Sequence, residues 1–184
     1  MNKVLFKIIK STLALSLFFG QRHYMKRLVR LYSKTSIKFE GIPKYIDRNV
    51  SFDFFSQGKI YIGEKSVITN GVLILTHDYS IDCGLSSINM EDKKFESLFY
   101  KDVHIGKNSF IGQRAVILPG VCIGDNCIVG AGCVVSKNIP NDSIVVGNPC
   151  RIVKNTSEWA KTKMQSDEIK IGNKRIYYKQ RGKI

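Results

Sequence analysis

The first 38 residues of this 184-residue chain contain no acidic side chain. Nine basic ones (Lys3, Lys7, Lys10, Arg22, Lys26, Arg27, Arg30, Lys34 and Lys38) precede the first acid, Glu40. The chain also lacks any CxxC pair. Its five cysteines (Cys83, Cys122, Cys127, Cys133 and Cys150) are odd in number and have no histidine at metal-ligand spacing, which argues for a reducing compartment and against a zinc site. A membrane-spanning run is missing near the N-terminus: the uncharged stretch from Ser11 to Gln21 is eleven residues, against about 20 for a spanning helix. No small-residue cleavage site follows the apolar residues 13–19, so the segment is not expected to be a secretory leader.

What is present argues for a folded domain. Apolar residues make up 43% of the chain, and ten Phe, eight Tyr and one Trp are incompatible with a disordered polymer even at a net charge of +14. The length suits one core. The charge is unevenly spread: residues 39–150 carry a net −2 and residues 151–184 a net +7. Three segments follow: a basic amphipathic helical segment over 1–38, a near-neutral domain over 39–154, and a basic extension over 155–184. A balance this basic calls for an acidic partner, which could be nucleic acid, an anionic membrane or a phosphate-bearing small molecule.

From Ile62 the chain repeats in sixes: Ile62, Ile68 and Ile74, then, after an interruption, Ile105, Ile111, Ile117, Ile123, Val129 and Val135. Four places after each of these last six stand Ser109, Ala115, Val121, Cys127, Cys133 and Ile139, and Gly follows at 106, 112, 124 and 130. A period of six cannot hold one face of a helix. It suits a short strand and a corner, three of which close a triangular coil, with the aliphatic residue inside, the small one where space narrows, and Gly expected to permit the corner backbone. The fold class is thus an all-β solenoid.

This repeat, with Ile117-Leu-Pro-Gly-Val-Cys-Ile-Gly-Asp-Asn-Cys-Ile-Val-Gly-Ala-Gly-Cys-Val-Val-Ser-Lys-Asn-Ile-Pro140 and Val146-Gly-Asn-Pro-Cys-Arg-Ile-Val153, resembles the hexapeptide-repeat acyltransferases over about residues 50–154, most closely their sugar O-acetyltransferase branch. The resemblance implies a left-handed parallel β-helix, a homotrimer with active sites between subunits, and acetyl-coenzyme A as donor, with no metal.

His77 stands where the period breaks, ahead of a polar excursion over 78–102 that lacks sixfold order. An excursion of that length inside a compact repeat is commonly functional. A hydroxyl is almost fully protonated at neutral pH and attacks a thioester poorly, so transfer to an alcohol needs a base, which imidazole supplies. The resemblance implies that role for His77. Asp78 is a candidate to orient the ring or touch the acceptor, and Asp53 and Asn49, in the early coils, are further acceptor-side candidates. His23 and His104 are read as structural.

The resemblance also implies donor contacts: Ala131 within Gly130-Ala131-Gly132 for the pantetheine arm, Ser136 and Lys137, then Arg151 and Lys154 for the nucleotide end. Gln113 follows Ile111-Gly112 on the same expected groove. Cys127 and Cys133 are expected inside the coil as small hydrophobes, and a cysteine nucleophile is not expected.

Residues 2–19 are expected to form a basic amphipathic helix ending at Gly20, continued in the same style by residues 24–32. Residues 1–33 fit either an interfacial element on an anionic membrane or a helical pair packed on the coil. At the other end Thr156-Ser157-Glu158 is expected to cap a short helix through about Gln165, followed by a hairpin around Gly172-Asn173. No groove-reading element supports nucleic-acid binding. The expected function is acetyl transfer to a hydroxyl of a sugar, polysaccharide or lipid-linked glycan in the cytoplasm, peripheral at the inner membrane face. Alternatives are an amino-sugar N-acetyltransferase, an antibiotic-inactivating acetyltransferase, and a membrane-attached scaffold without turnover.

Overall fold

The computed structural model describes residues 12–53 and 57–165. The expected helix start before residue 12 and the expected hairpin around Gly172-Asn173 lie outside the described residues. Three sheets of parallel strands form the body. The first holds Ile37–Glu40, Ile60–Gly63, Val103–Ile105 and Cys122–Ile123. The second holds Tyr45–Ile46, Val67–Ile68, Phe110–Ile111, Ile128–Val129 and Ser143–Val146; the third holds Ser51–Phe52, Leu73–Ile74, Val116–Ile117 and Val134–Val135. The chain visits the sheets in rotation, and each parallel pairing joins one turn to the next. The result is a three-sided coil that begins at Ile37, within the segment expected to be helical.

The register records where the coil is regular. Ile105 faces Ile123, Ile111 faces Val129 and Ile117 faces Val135, each pair three hexapeptides apart. Ile74 instead faces Ile117, forty-three positions on, because the excursion intervenes. Phe52 faces Ile74, twenty-two positions on. All six aliphatic residues from Ile105 to Val135 are buried, as are Ala115, Val121, Cys127 and Cys133. Each of the Ile and Val side chains withdrawn from water contributes roughly 1.5–3 kcal/mol before the entropy of ordering is set against it.

The repeat glycines have a different task from the one expected. The left-handed residues that turn the corners recur every sixth position, at Asn108, Arg114, Gly120, Asn126 and Gly132, three residues after the buried aliphatic. The glycines directly after that aliphatic are needed for close approach between turns. A Cβ at Gly106 would stand 2.4 Å from the Gly124 backbone, and one at Gly112 would stand 2.6 Å from Ala131 N. The corner asparagines also link the turns, Asn108 Nδ2 donating to Asn126 Oδ1 (2.9 Å) and Asn126 Nδ2 to Asp142 Oδ1 (3.0 Å).

The N-terminal segment departs from a continuous helix. Residues Leu13–Phe19 wind as a 3-10 helix, Gly20 takes a positive φ of 96°, and α1 (Gln21–Tyr32) follows. Tyr24, Met25, Leu28, Leu31 and Tyr32 of α1 are buried. They close the open end of the coil, in contact with the first strands of the first and second sheets and, through Tyr32, edge-on against Phe52 of the third (5.2 Å between centroids). At the other end Arg151–Asn155 adds antiparallel to Ser143–Val146. Asn155, rather than the expected Thr156, caps the terminal helix by accepting from Ser157 N and Glu158 N. Among the described residues no helix is long and apolar enough to cross a membrane.

Candidate functional site

His77 leaves the third sheet at the edge where the coil turns toward the first, and begins a two-residue strand, His77–Asp78, paired antiparallel with Phe99–Tyr100. The excursion is therefore pinned at its base. Lys101 N donates to Thr76 O (2.9 Å) and Lys59 N to Asp102 Oδ1 (2.8 Å), while Gly58 passes so close that a Cβ there would meet Thr76 Cβ at 2.7 Å. Between its ends lies α2 (Ser80–Ser87), where the polar sequence suggested irregular chain.

The partner of His77 is Asp53, one turn below. His77 Nδ1 is hydrogen-bonded to Asp53 Oδ2. The same oxygen accepts from Thr76 N (3.0 Å) and Thr76 Oγ1 (2.8 Å). Burial by itself would raise the Asp53 carboxyl, but the Thr76 amide, the His77 ring and the Thr76 hydroxyl outweigh it and hold it below the usual carboxylate range. An ionised carboxylate can only accept, so in a neutral imidazole the proton sits on Nδ1 and the Nε2 lone pair is free. The ring keeps 31% of its side-chain surface exposed. Tyr79 meets it edge-on at 5.5 Å and Tyr100 is tilted at 6.3 Å. Arranged this way, the pair can remove a proton from a group brought to Nε2.

Asp53, expected on the acceptor side, is hydrogen-bonded to the imidazole. Asp78, the adjacent candidate to orient the ring, bonds elsewhere: its Oδ1 accepts from Ser80 N (2.7 Å) at the start of α2. Asn49 lies at a different edge, between the second and third sheets, with its N–H on Asp47 Oδ1. The pairing of Asp53 with His77 escaped sequence reasoning because the turn joining Asp53 to Thr76 is longer than eighteen residues, so the sixfold count does not align them. Tyr79 and Tyr100 carried no sequence signal beyond their place in the excursion. His104 stacks on Tyr61 (4.3 Å between centroids) on the outer face of the first sheet, and His23 is an exposed residue of α1.

The residues expected to hold the donor fall on two edges. Lys137 and Arg151 come together in a groove of about 270 Å³ lined also by Asn138, Ile139, Cys150 and Ile152, with exposed Ser136 beside Lys137. Lys154 is farther along the terminal strand, opposite Ile144. Gln113 and Ala131 are exposed on the neighbouring edge, between the second and third sheets, where Gly132 N donates to Gln113 O (2.7 Å). His77 and Asn138 share one edge, since Ile74, Ile117 and Val135 stack in register and each precedes an edge by the same offset. Two turns of the coil separate them, roughly 10 Å along its axis at the spacing of parallel strands.

Cys133 and Cys150 are buried side by side. Burial foremost, then the Cys150 thiol, push Cys133 up to about 12, the opposite of what a nucleophile needs. Cys127 is also buried and its thiol is raised by burial. No group of three or more His, Cys, Asp or Glu side chains is placed to hold a metal ion among the described residues.

Fold and site thus define a parallel-coil protein with an imidazole–carboxylate pair on one edge and a cationic groove above it. Residues 102–137 match the family model described as bacterial transferase hexapeptide (six repeats). The chain is similar to the galactoside O-acetyltransferase of Escherichia coli (strain K12), with 33% identity over 120 residues, 57% of this chain and 59% of that protein. A relative in Staphylococcus aureus (strain COL) is 42% identical over 66 residues, 36% of this chain and 33% of the relative, so the chain matches about a third of that protein's length. Among solved structures, a galactoside acetyltransferase in complex with coenzyme A superposes with a TM-score of 0.57 at 21% identity, over 88% of this chain and 86% of that one. That last likeness is one of fold.

Proposed function

We propose that this protein is an acetyl-coenzyme A-dependent O-acetyltransferase that acts on a hydroxyl of a sugar or glycan, by direct transfer, in the cytoplasm where that donor is made. The observation that carries the reading is the His77–Asp53 pair on the same edge as the Lys137–Arg151 groove. The coil is left-handed in this reading, as in the family the repeat resembles.

His77 Nε2 accepts the hydroxyl proton as the oxygen attacks the thioester carbonyl carbon. Asp53 keeps the ring in the required tautomer and stabilises the imidazolium that forms. The tetrahedral intermediate collapses with cleavage of the carbon–sulfur bond, and the imidazolium returns its proton to the coenzyme A thiolate. Lys137, Arg151 and Lys154 supply positive charge for the nucleotide phosphates, Ser136 a hydroxyl beside them, and Ala131 and Gln113 a slender surface for the pantetheine arm. Asp78 and Asn49 are left to the acceptor side, with Tyr79 and Tyr100 offering ring faces to a sugar. The active unit is a homotrimer with sites between subunits. The excursion supports this, because Tyr79, Ile88, Met90, Phe95, Phe99 and Tyr100 are all exposed on the single chain.

The test is release of free coenzyme A from acetyl-coenzyme A with a panel of sugar, amino-sugar and aminoglycoside acceptors, alongside His77→Ala. Cleavage with neutral sugars that His77→Ala abolishes is the expected result. Cleavage only with amines makes the protein an N-acetyltransferase, and no cleavage with any acceptor leaves a scaffold. A solution mass three times the 20.8 kDa of the chain is expected by light scattering.

A further inference from the structure

The two faces of α1 have different fates. Its apolar face is spent inside the molecule, on the first turn of the coil. That removes the simplest account of a basic amphipathic N-terminus, in which the apolar arc enters a bilayer. The opposite face carries Arg22, Lys26, Arg27 and Arg30, all exposed, and none of them forms an ion pair among the described residues. Directly before α1, Phe18 and Phe19 are 87% and 78% exposed, and Phe19 leans on His23 of the cationic face at 5.8 Å. Residues 1–39 contain no acid to neutralise this surface.

We propose that this end of the coil docks flat on an anionic lipid bilayer, by cation attraction to the headgroups together with insertion of Phe18 and Phe19. Four uncompensated cations on one side of a rigid helix, each attracted to an anionic leaflet by enough to change binding about fivefold, give the electrostatic part. Two adjacent, largely exposed aromatic rings supply what a polynucleotide or soluble polyanion would not need and the headgroup region accepts. The orientation follows from the fold. Because α1 caps the coil, the bilayer lies across the coil axis, and His77 stands on the second turn. One helix diameter and two turns put it roughly 20 Å above the membrane plane. Resting on the acyltransfer reading above, this favours an acceptor sugar carried on a lipid.

The full chain is mixed with vesicles of phosphatidylcholine alone or with about one-third phosphatidylglycerol, a mixture dense enough in charge to show the effect, and pelleted at low and high salt. Pelleting only with the anionic vesicles, reversed by salt, is expected. Arg22→Ala, Lys26→Ala, Arg27→Ala and Arg30→Ala combined should weaken it more than a hundredfold and flatten its salt dependence. Phe18→Ser with Phe19→Ser should weaken it about tenfold and leave the salt slope unchanged. The thermal melt and the release of coenzyme A with a soluble sugar should stay as in the parent. Equal pelleting with neutral vesicles, no pelleting, or undiminished pelleting of the fourfold variant overturns the proposal. So does a drop in oligomeric mass in that variant, which would make the face a contact between copies, or preferential capture of duplex DNA over vesicles. Vesicle binding needs no turnover, so its failure and the failure of the acyltransfer reading are separate results.

Discussion

Residues 103–146 and residues 37–102 form the same coil by different rules. In the upper part the turns up to Val135 are eighteen residues long and the last is sixteen, left-handed residues mark the corners from Asn108 to Gly132, and each repeat glycine lies against the turn above. In the lower part the turns are longer, the excursion intervenes, and a polar cluster of Asp53, Thr76 and His77 occupies one edge. The regular turns supply rigidity and one wall of the groove; the irregular ones supply the His77–Asp53 pair. Irregularity is what frees His77 from the repeat, since a residue inside a regular turn is either buried or held in an outward ladder, as His104 is against Tyr61.

The sharpest way to separate the two parts is His77→Ala. Turnover should fall by about a thousandfold, within the range of a lost general base, while acetyl-coenzyme A binding, measured by calorimetry, stays near the parent value. Asp53→Asn comes next. An amide can donate to the ring and hold the wrong tautomer, so kcat should drop about tenfold to a hundredfold with little change in KM. A role confined to stability would lower the melting temperature and leave kcat alone.

In the upper turns the order of effects reverses. Ile117→Ala should cost about 2–5 kcal/mol in denaturant unfolding through the cavity it leaves, and Gly106→Val should be comparably damaging because a Cβ has no room against Gly124. The folded fraction should still turn over normally. Lys137→Ala with Arg151→Ala should raise KM for acetyl-coenzyme A about tenfold, the cost of losing charge-assisted phosphate contacts, and leave kcat nearly unchanged.

The smallest effects are the pH dependences of stability. Asp53 is held below its unfolded value, so its contribution is present above about pH 4 and is lost as pH falls through the folded value. Cys133 is raised to about 12, so its contribution is intact below the unfolded thiol value near 8.5 and is lost as pH climbs from there toward 12. Thermal melts of Asp53→Asn at acid pH and of Cys133→Ala at alkaline pH should each lose that slope.

How far the sequence is legible follows the same division. The period of six is a direct record of strand and corner, so the buried aliphatics from Ile105 to Val135 and the buried Cys127 and Cys133 could be read without coordinates. His77 could be singled out because it marks the break in that period. The glycines were placed correctly and explained wrongly, because their constraint is the backbone of the next turn, which a one-dimensional pattern does not contain. Asp53 is a similar case: its bond to His77 crosses a turn of non-repeating length. The basic amphipathic character of residues 24–32 was visible, but which molecule takes the apolar face was not.

Composition and periodicity by themselves determined a parallel coil with cationic ends, because local chain geometry and the sorting of apolar from polar residues depend only on order along the chain. Tertiary structure alone decided that Asp53 rather than Asp78 is bonded to His77, that Lys137 meets Arg151 while Gln113 and Ala131 lie on another edge, and that α1 turns its arginines outward. Each of these is set by stacking between turns, where partners lie far apart in sequence and a change in the length of one turn re-pairs everything beside it.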